Sequence, residues 1–252
     1  MVPMKVVYHD DYRTVYASDP AAAPGRMESI LSELSGYELI EPEPAVEDDV
    51  LLVHSRSHLE YVKSLGVVYR IALLAAGGAI KAAELALEGE PAFALIRPPG
   101  HHASRDSSWG FCYFNNIAIA VEKLRAGGRI KTAVILDIDL HYGDGTASIF
   151  SAAPDVTYLH PDSRSREEYL REVEELLSSA GEADIVAVSA GFDRHIEDWG
   201  HQLHTEDYRR IAQLVKEYSE SSCNGRRMAA LEGGYNHKVL GKNVRAFLEG
   251  FK

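Results

Sequence analysis

The chain has 252 residues, 46% of them hydrophobic and 25% charged, with a formal net charge of −12. That length supports one large α/β domain with a substantial core, and the acidic balance argues against general nucleic-acid binding, which needs a basic face. Two cysteines without a CxxC pair, Cys112 and Cys223, exclude a disulfide framework.

The N-terminal Met1-Val2-Pro3-Met4-Lys5 leads directly into a strand expected over Lys5–Tyr8, without the apolar run of a signal peptide. A reducing cytoplasm is the expected setting. Glu41-Pro42-Glu43-Pro44 is linker-like but too short to separate domains, so residues 1–252 are read as a single domain. The alanine- and leucine-rich stretch Ile71–Leu87 is interrupted by Gly77, Gly78, Lys81 and Glu84, which makes it a core helix and not a membrane span. A strand over Ala92–Ile96 follows, then Arg97–His102, then a helix over Asn115–Leu124 that Asn115 can cap. Strands are expected at Thr132–Leu136, Val156–Leu159, Asp184–Val188 and Arg227–Leu231. Between and after them come helices at Arg166–Ser179, Thr205–Glu220 (started by Thr205-Glu206-Asp207) and Asn236–Leu248.

Strands alternating with long helices predict a parallel sheet covered on both faces. Ligands in such sheets sit beyond the carboxyl ends of the strands. The chemically loaded segments fall there: Arg97–His102, Asp137–Asp144, Gly191–Asp193 and Glu232–Tyr235, each after a different strand.

Asp137, Asp139 and His141 alternate, so an extended backbone would point all three to one side. Asp139, His141 and Asp193 offer a three-ligand N/O set of the kind that leaves a catalytic zinc one open position, or are simply a strand-end carboxylate with a surface histidine and an Asp that caps a helix or holds a turn. Arg97-Pro98-Pro99-Gly100 is a stiffened turn that presents His101 and His102 side by side, suited to acid–base work, or simply a structural loop. Asp137 and Asp144 are available to orient these histidines. Gly233 and Gly234 permit close backbone approach, and Tyr235 after them can donate to a developing oxyanion or simply pack. Cys112 is read as a packed, idle thiol, and His160, His195, His201 and His204 as surface or loop residues. Trp109 is read as bordering a pocket mouth or packing.

Five ordered motifs, RPPGHHA at 97–103, GFCYFNN at 110–116, DIDLHYGDG at 137–145, SAGFD at 189–193 and LEGGYN at 231–236, resemble the histone deacetylase superfamily, which includes acetylpolyamine amidohydrolases. The SAGFD and LEGGYN wording is similar to the class II and bacterial branches. The resemblance implies a three-layer arginase/deacetylase α/β fold with a central, mainly parallel sheet flanked by helices. It implies one Zn2+ held by Asp139, His141 and Asp193, and a monovalent cation (K+ or Na+) near the backbone of Asp137, Asp139 and His141. His102 would be general base and then acid, with His101 as its electrostatic partner. Asp137 would pair with His101 and Asp144 with His102, and Tyr235 would stabilise the tetrahedral intermediate. Gly110, Phe111, Gly233 and Gly234 would line the substrate channel.

The expected activity is hydrolysis of an N-acetyl amide, on an acetylated small amine or an acetyl-lysine peptide, with no nucleic acid or membrane partner and homo-oligomerisation left open. The rival reading is a non-catalytic acyl-lysine- or polyamine-binding protein that keeps the fold. The two-metal arginase branch would need carboxylates at Gly143 and His195. The loop after Leu159 is much shorter than in full-length relatives and leaves no clear replacement for the second channel-wall aromatic, with Tyr113 or a neighbouring subunit as candidates, and the pocket should be shallower or more open on one side. Tyr142 should face away from the metal. Pro24-Gly25-Arg26 stands where relatives have a substrate-rim loop, which makes Asp19 or Arg26 a substrate contact or Arg26 an ordinary helix start.

Overall fold

The computed structural model describes residues 4–252; residues 1–3, where part of the N-terminal reading falls, lie outside it. Seven strands form one sheet in the order β2-β1-β3-β7-β6-β4-β5, and every paired neighbour is parallel. The strands are β1 (Lys5–Val7), β2 (Glu38–Ile40), β3 (Ala92–Ala94), β4 (Ala133–Asp137), β5 (Val156–Leu159), β6 (Ile185–Ala190) and β7 (Arg227–Leu231). Helices α4 (Val67–Leu87), α5 (Asn116–Ala126), α7 (Arg166–Ser179), α8 (Thr205–Ser222) and α9 (His237–Phe251) flank the sheet, and shorter helices α1 (Arg26–Leu31), α2 (Glu47–Val50), α3 (Arg56–Lys63) and α6 (Asp144–Phe150) fill the connections. The result is a three-layer α/β fold.

Every residue of β4, β6 and β7 is buried, as continuous apolar runs in a doubly covered sheet require. Each buried Val, Ile or Leu there contributes about 1.5–3 kcal/mol of transfer free energy, which is what lets the sheet hold Asp137, a buried carboxylate, at the tip of β4. Helix starts follow local chemistry. Asn115 Oδ1 accepts from the amide of Ala118 at 3.0 Å, and Asp207 Oδ2 accepts from the amide of His204 at 2.7 Å at the start of α8. Among the described residues no helix is long and apolar enough to cross a membrane.

Strand pairing along β4 stops at Asp137, so the alternation expected through His141 gives way to a turn. That turn is held by side chains. Asp137 Oδ1 accepts from the amide of Asp139 at 3.1 Å, Asp139 Oδ1 from that of His141 at 2.9 Å, and Asp193 Oδ1 from that of Leu140 at 3.0 Å.

Candidate active site

The carboxyl ends of β3, β4, β6 and β7 converge on one cavity of about 340 Å³. At its floor Asp139, His141 and Asp193 bring one ligand atom each to within 4.8 Å of one another. His141 Nδ1 stands 3.2 Å from both Asp139 Oδ1 and Asp193 Oδ2. It is aligned with Asp139; Asp193 Oδ2 is buried without a hydrogen-bond partner. An orphaned carboxylate oxygen in the interior is costly unless a cation answers it, so this donor set fits a divalent ion.

Electrostatics support that fit. The hydrogen bond to Asp139 and the Asp193 carboxylate 3.2 Å away push the His141 imidazole up to about 10. Burial and the neighbouring charge of Asp139 push Asp193 up to about 6. Burial opposes ionisation of Asp139, but the charge of His101 and the hydrogen bonds from His141 outweigh it and hold the carboxyl well below its usual range. The cluster therefore draws positive charge. The close packing also explains two glycines. A Cβ on Gly233 would lie 2.5 Å from Asp139 Oδ2, and one on Gly110, whose φ is +58°, would lie 2.4 Å from the His102 ring.

The two histidines sit side by side, ring centroids 4.1 Å apart, each with its own carboxylate: His101 Nδ1 lies 3.0 Å from Asp137 Oδ2 and His102 Nδ1 2.6 Å from Asp144 Oδ1. Their environments drive them apart. Burial works against the His101 cation, yet Asp137 and Asp139 overcome it and raise this imidazole well above its ordinary value. His102 is lowered, first by burial and then by the charge of His101. The surroundings thus favour the cation at His101 and the neutral ring at His102.

Tyr235 is half-buried and clamped. Trp199 stacks on it at 4.1 Å, Phe111 meets it edge-on at 6.0 Å, and the Arg26 guanidinium lies 5.6 Å from its centroid. Burial raises its phenol far above the ordinary value, so it stays a donor. Phe111 has φ +67°, a strained backbone that aims its ring at the cavity.

Several residues play parts the sequence did not disclose. Arg26 contacts no open rim. It is fully buried, and its Nε and Nη2 donate to the carbonyls of Gly234 (2.9 Å) and Glu232 (2.6 Å), fixing the turn before Tyr235. Asp19 caps a short 3-10 turn. Glu232, buried, accepts from the amides of Gly100 (2.6 Å) and His101 (3.3 Å) and so ties the histidine turn to β7. The second aromatic wall is Trp199, 47% exposed, edge-on to His141 at 6.1 Å. Tyr113 packs on Tyr16 instead. Trp109 does border the cavity, tilted against His102 with ring centroids 4.0 Å apart and its indole N–H donating to Asp144 Oδ2 at 2.9 Å. An aromatic in the polar run Glu197-Asp198-Trp199-Gly200 was the available signal for Trp199; buried arginines leave none.

Other expectations divide. Cys112 is buried, and burial with the nearby Glu232 charge raises its thiol well above the ordinary value, so although it groups with His101 and Glu232 it is no ready thiolate. Tyr142 is exposed and packs edge-on against Tyr158 and His160. His201 and His204 are exposed, but His195 is buried and His160 half-buried, so these two are not surface residues. A Cβ on Gly143 would lie 2.2 Å from Asp137 Oδ2, which leaves no room there for the extra carboxylate of a two-metal centre. In the backbone around Asp137–His141, where a monovalent cation is expected, the carbonyls of Asp139 and Leu140 already accept from the Arg194 guanidinium, which counts against a second cation on them.

Fold and site together describe a three-layer α/β protein with a candidate metal centre beside a pair of histidines. A model of the histone deacetylase domain matches residues 21–165 and 159–251, and the chain belongs to that family. It is 33% identical, over 90% of its length and 84% of the relative's, to a probable deacetylase of Methanothermobacter thermautotrophicus. It is 30% identical to a histone deacetylase-like amidohydrolase of Pseudomonas aeruginosa, covering 88% and 75% of the two chains. It is 31% identical to an acetylpolyamine amidohydrolase of Burkholderia pseudomallei, covering 73% and 63%. The solved HDA15 HD domain has the same fold, with a TM-score of 0.86, 24% identity, and coverage of 100% of this chain and 91% of that one.

Proposed function

We propose that this chain, as a single cytoplasmic domain, hydrolyses an N-acetyl amide, releasing acetate and a free amine, with one zinc ion held by Asp139, His141 and Asp193. The orphaned Oδ2 of Asp193 in a three-ligand cluster carries this reading. When bound, such an ion supplies Lewis-acid polarisation of a carbonyl and acidifies water. The chain's own residues do the rest. His102, held neutral and oriented by Asp144, takes a proton from the attacking water at Nε2 and returns it to the leaving amine. His101, kept cationic by Asp137, stabilises negative charge beside it and suppresses protonation of His102. The Tyr235 phenol donates to the oxygen that gains charge as the amide carbonyl becomes tetrahedral. Gly110, Phe111 and Trp199 enclose the methylene chain of the substrate, with Gly233 and Gly234 letting the backbone approach it.

The preferred substrate class is an acetylated cationic amine, either an acetyl-lysine peptide or an acetylpolyamine. The net charge of −12 favours it, as do relatives named for both substrates. The test is turnover by zinc-loaded protein on a panel of acetyl-lysine peptides, acetylputrescine and acetylspermidine. Release of acetate from at least one, lost in His102→Ala, is expected. No turnover on any, with tight binding retained, would replace the hydrolase by an acyl-amine-binding protein.

A further inference from the structure

We propose that Arg194 takes the place of the monovalent cation expected beside the metal-ligand segment, so that this centre works without K+ or Na+. The inference rests on the metal-centre reading above. Arg194 directly follows Asp193 and is buried, 3% exposed. Its Nε donates to the carbonyl of Asp139 at 3.2 Å, and its Nη2 to those of Leu140 at 3.4 Å and Pro161 at 3.1 Å. Nη1 donates to Gln202 Oε1 at 3.1 Å. The guanidinium carbon lies 4.6 Å from the Tyr169 ring centroid, a cation–π contact.

A monovalent ion at this place would need the same carbonyl oxygens, and like charges sharing one set of acceptors repel. The Asp137 carboxylate is equally taken. Its Oδ1 accepts from the amide of Asp139 at 3.1 Å. Its Oδ2 faces His101 Nδ1 and accepts from the Tyr158 hydroxyl, both at 3.0 Å. A fixed guanidinium and a tyrosine hydroxyl therefore sit on the Asp139 and Leu140 carbonyls and on one Asp137 carboxylate oxygen, for which a bare cation would have to compete.

The substitution suits the short loop after β5. Arg194 reaches Pro161 in that loop, and Gln202 Nε2 donates to the carbonyl of Ser163 at 2.6 Å. One planar fork thus places a buried positive charge beside the ligand turn and fastens that turn to the shortened loop, which a lysine's point charge would not reproduce.

The test uses the zinc-loaded protein, exchanged into tetramethylammonium chloride and compared with KCl and NaCl at equal ionic strength. A cation site filled at about 100 times its dissociation constant would raise the melting temperature by roughly 5–10 °C. The expected result is no such rise, with zinc affinity by chelator competition unchanged among the salts. A saturable rise of that size with K+ or Na+ would overturn the proposal. Arg194→Met should melt lower and hold zinc more weakly than the wild type in tetramethylammonium, and K+ or millimolar guanidinium should restore part of both. Melting and zinc retention equal to the wild type in this variant would also overturn it. The salt comparison on the wild type needs no variant to fold. Neither melting nor zinc retention needs turnover, so failure of this inference is distinguishable from failure of the hydrolase reading.

Discussion

The floor and the mouth of the cavity are built on opposite principles. At the floor Asp137, Asp139 and Asp193 are each 0–1% exposed, sit at the ends of fully buried strands, and have backbone donors or imidazoles on their oxygens. At the mouth Trp109 and Trp199 are 55% and 47% exposed and stand on loops, Trp109 held by a tilted contact with His102 and a hydrogen bond to Asp144, Trp199 by stacking on Tyr235. The floor is over-determined and can do one kind of chemistry. The mouth is loosely determined and can change what reaches that chemistry.

The contrast is sharpest where the two parts meet, at Tyr235. Tyr235→Phe keeps the ring and its stack on Trp199 but removes the donor, so kcat should fall by roughly 10²–10³-fold with little change in KM. A rise in KM at constant kcat would make Tyr235 a wall and not an electrophile. Deeper in the floor, Asp137→Asn removes the charge that keeps His101 cationic, and a loss of roughly 10–100-fold in kcat/KM is expected on every substrate alike. At the mouth, Trp199→Ala removes one aromatic stack. It should raise KM by roughly 2–10-fold and re-rank the acetyl-amines, with zinc affinity unchanged. A uniform loss of kcat instead would place Trp199 with the floor.

The smallest effect is in pH. Burial and the His101 charge lower His102 from the ordinary imidazole value of 6.5. The neutral, active base therefore persists as pH falls past that value, and the acidic limb of kcat/KM should lie below it. Asp144 raises His102, so Asp144→Asn should move the limb further down while slowing the reaction. A limb above 6.5 would contradict the split between the two histidines.

The same contrast governs what could be read from sequence. Asp139, His141 and Asp193 were legible because they follow closely on buried apolar runs, at the carboxyl ends of parallel strands where ligands gather. β2, at Glu38–Ile40, was not: three mostly exposed residues at the sheet edge carry no periodic signal. Helix α6 was missed because Asp144–Phe150 begins with Asp-Gly and shows no apolar stripe. Arg26 and Arg194 were illegible for a different reason. A guanidinium that bonds main-chain carbonyls far away in sequence, as Arg26 does with Gly234, looks in one dimension like any surface arginine. Trp199 stands out only as an aromatic in a polar run; the tertiary path of its loop is what brings it onto Tyr235.

The central claim is one divalent ion at the floor, and it is tested by stripping the protein with a chelator, returning zinc in steps, and measuring bound zinc and deacetylation on the same samples. Activity should rise in proportion to bound zinc and stop at one ion per chain, and Asp193→Asn should lose both together. Deacetylation that survives stripping, or that appears only when a second ion binds, would contradict the account.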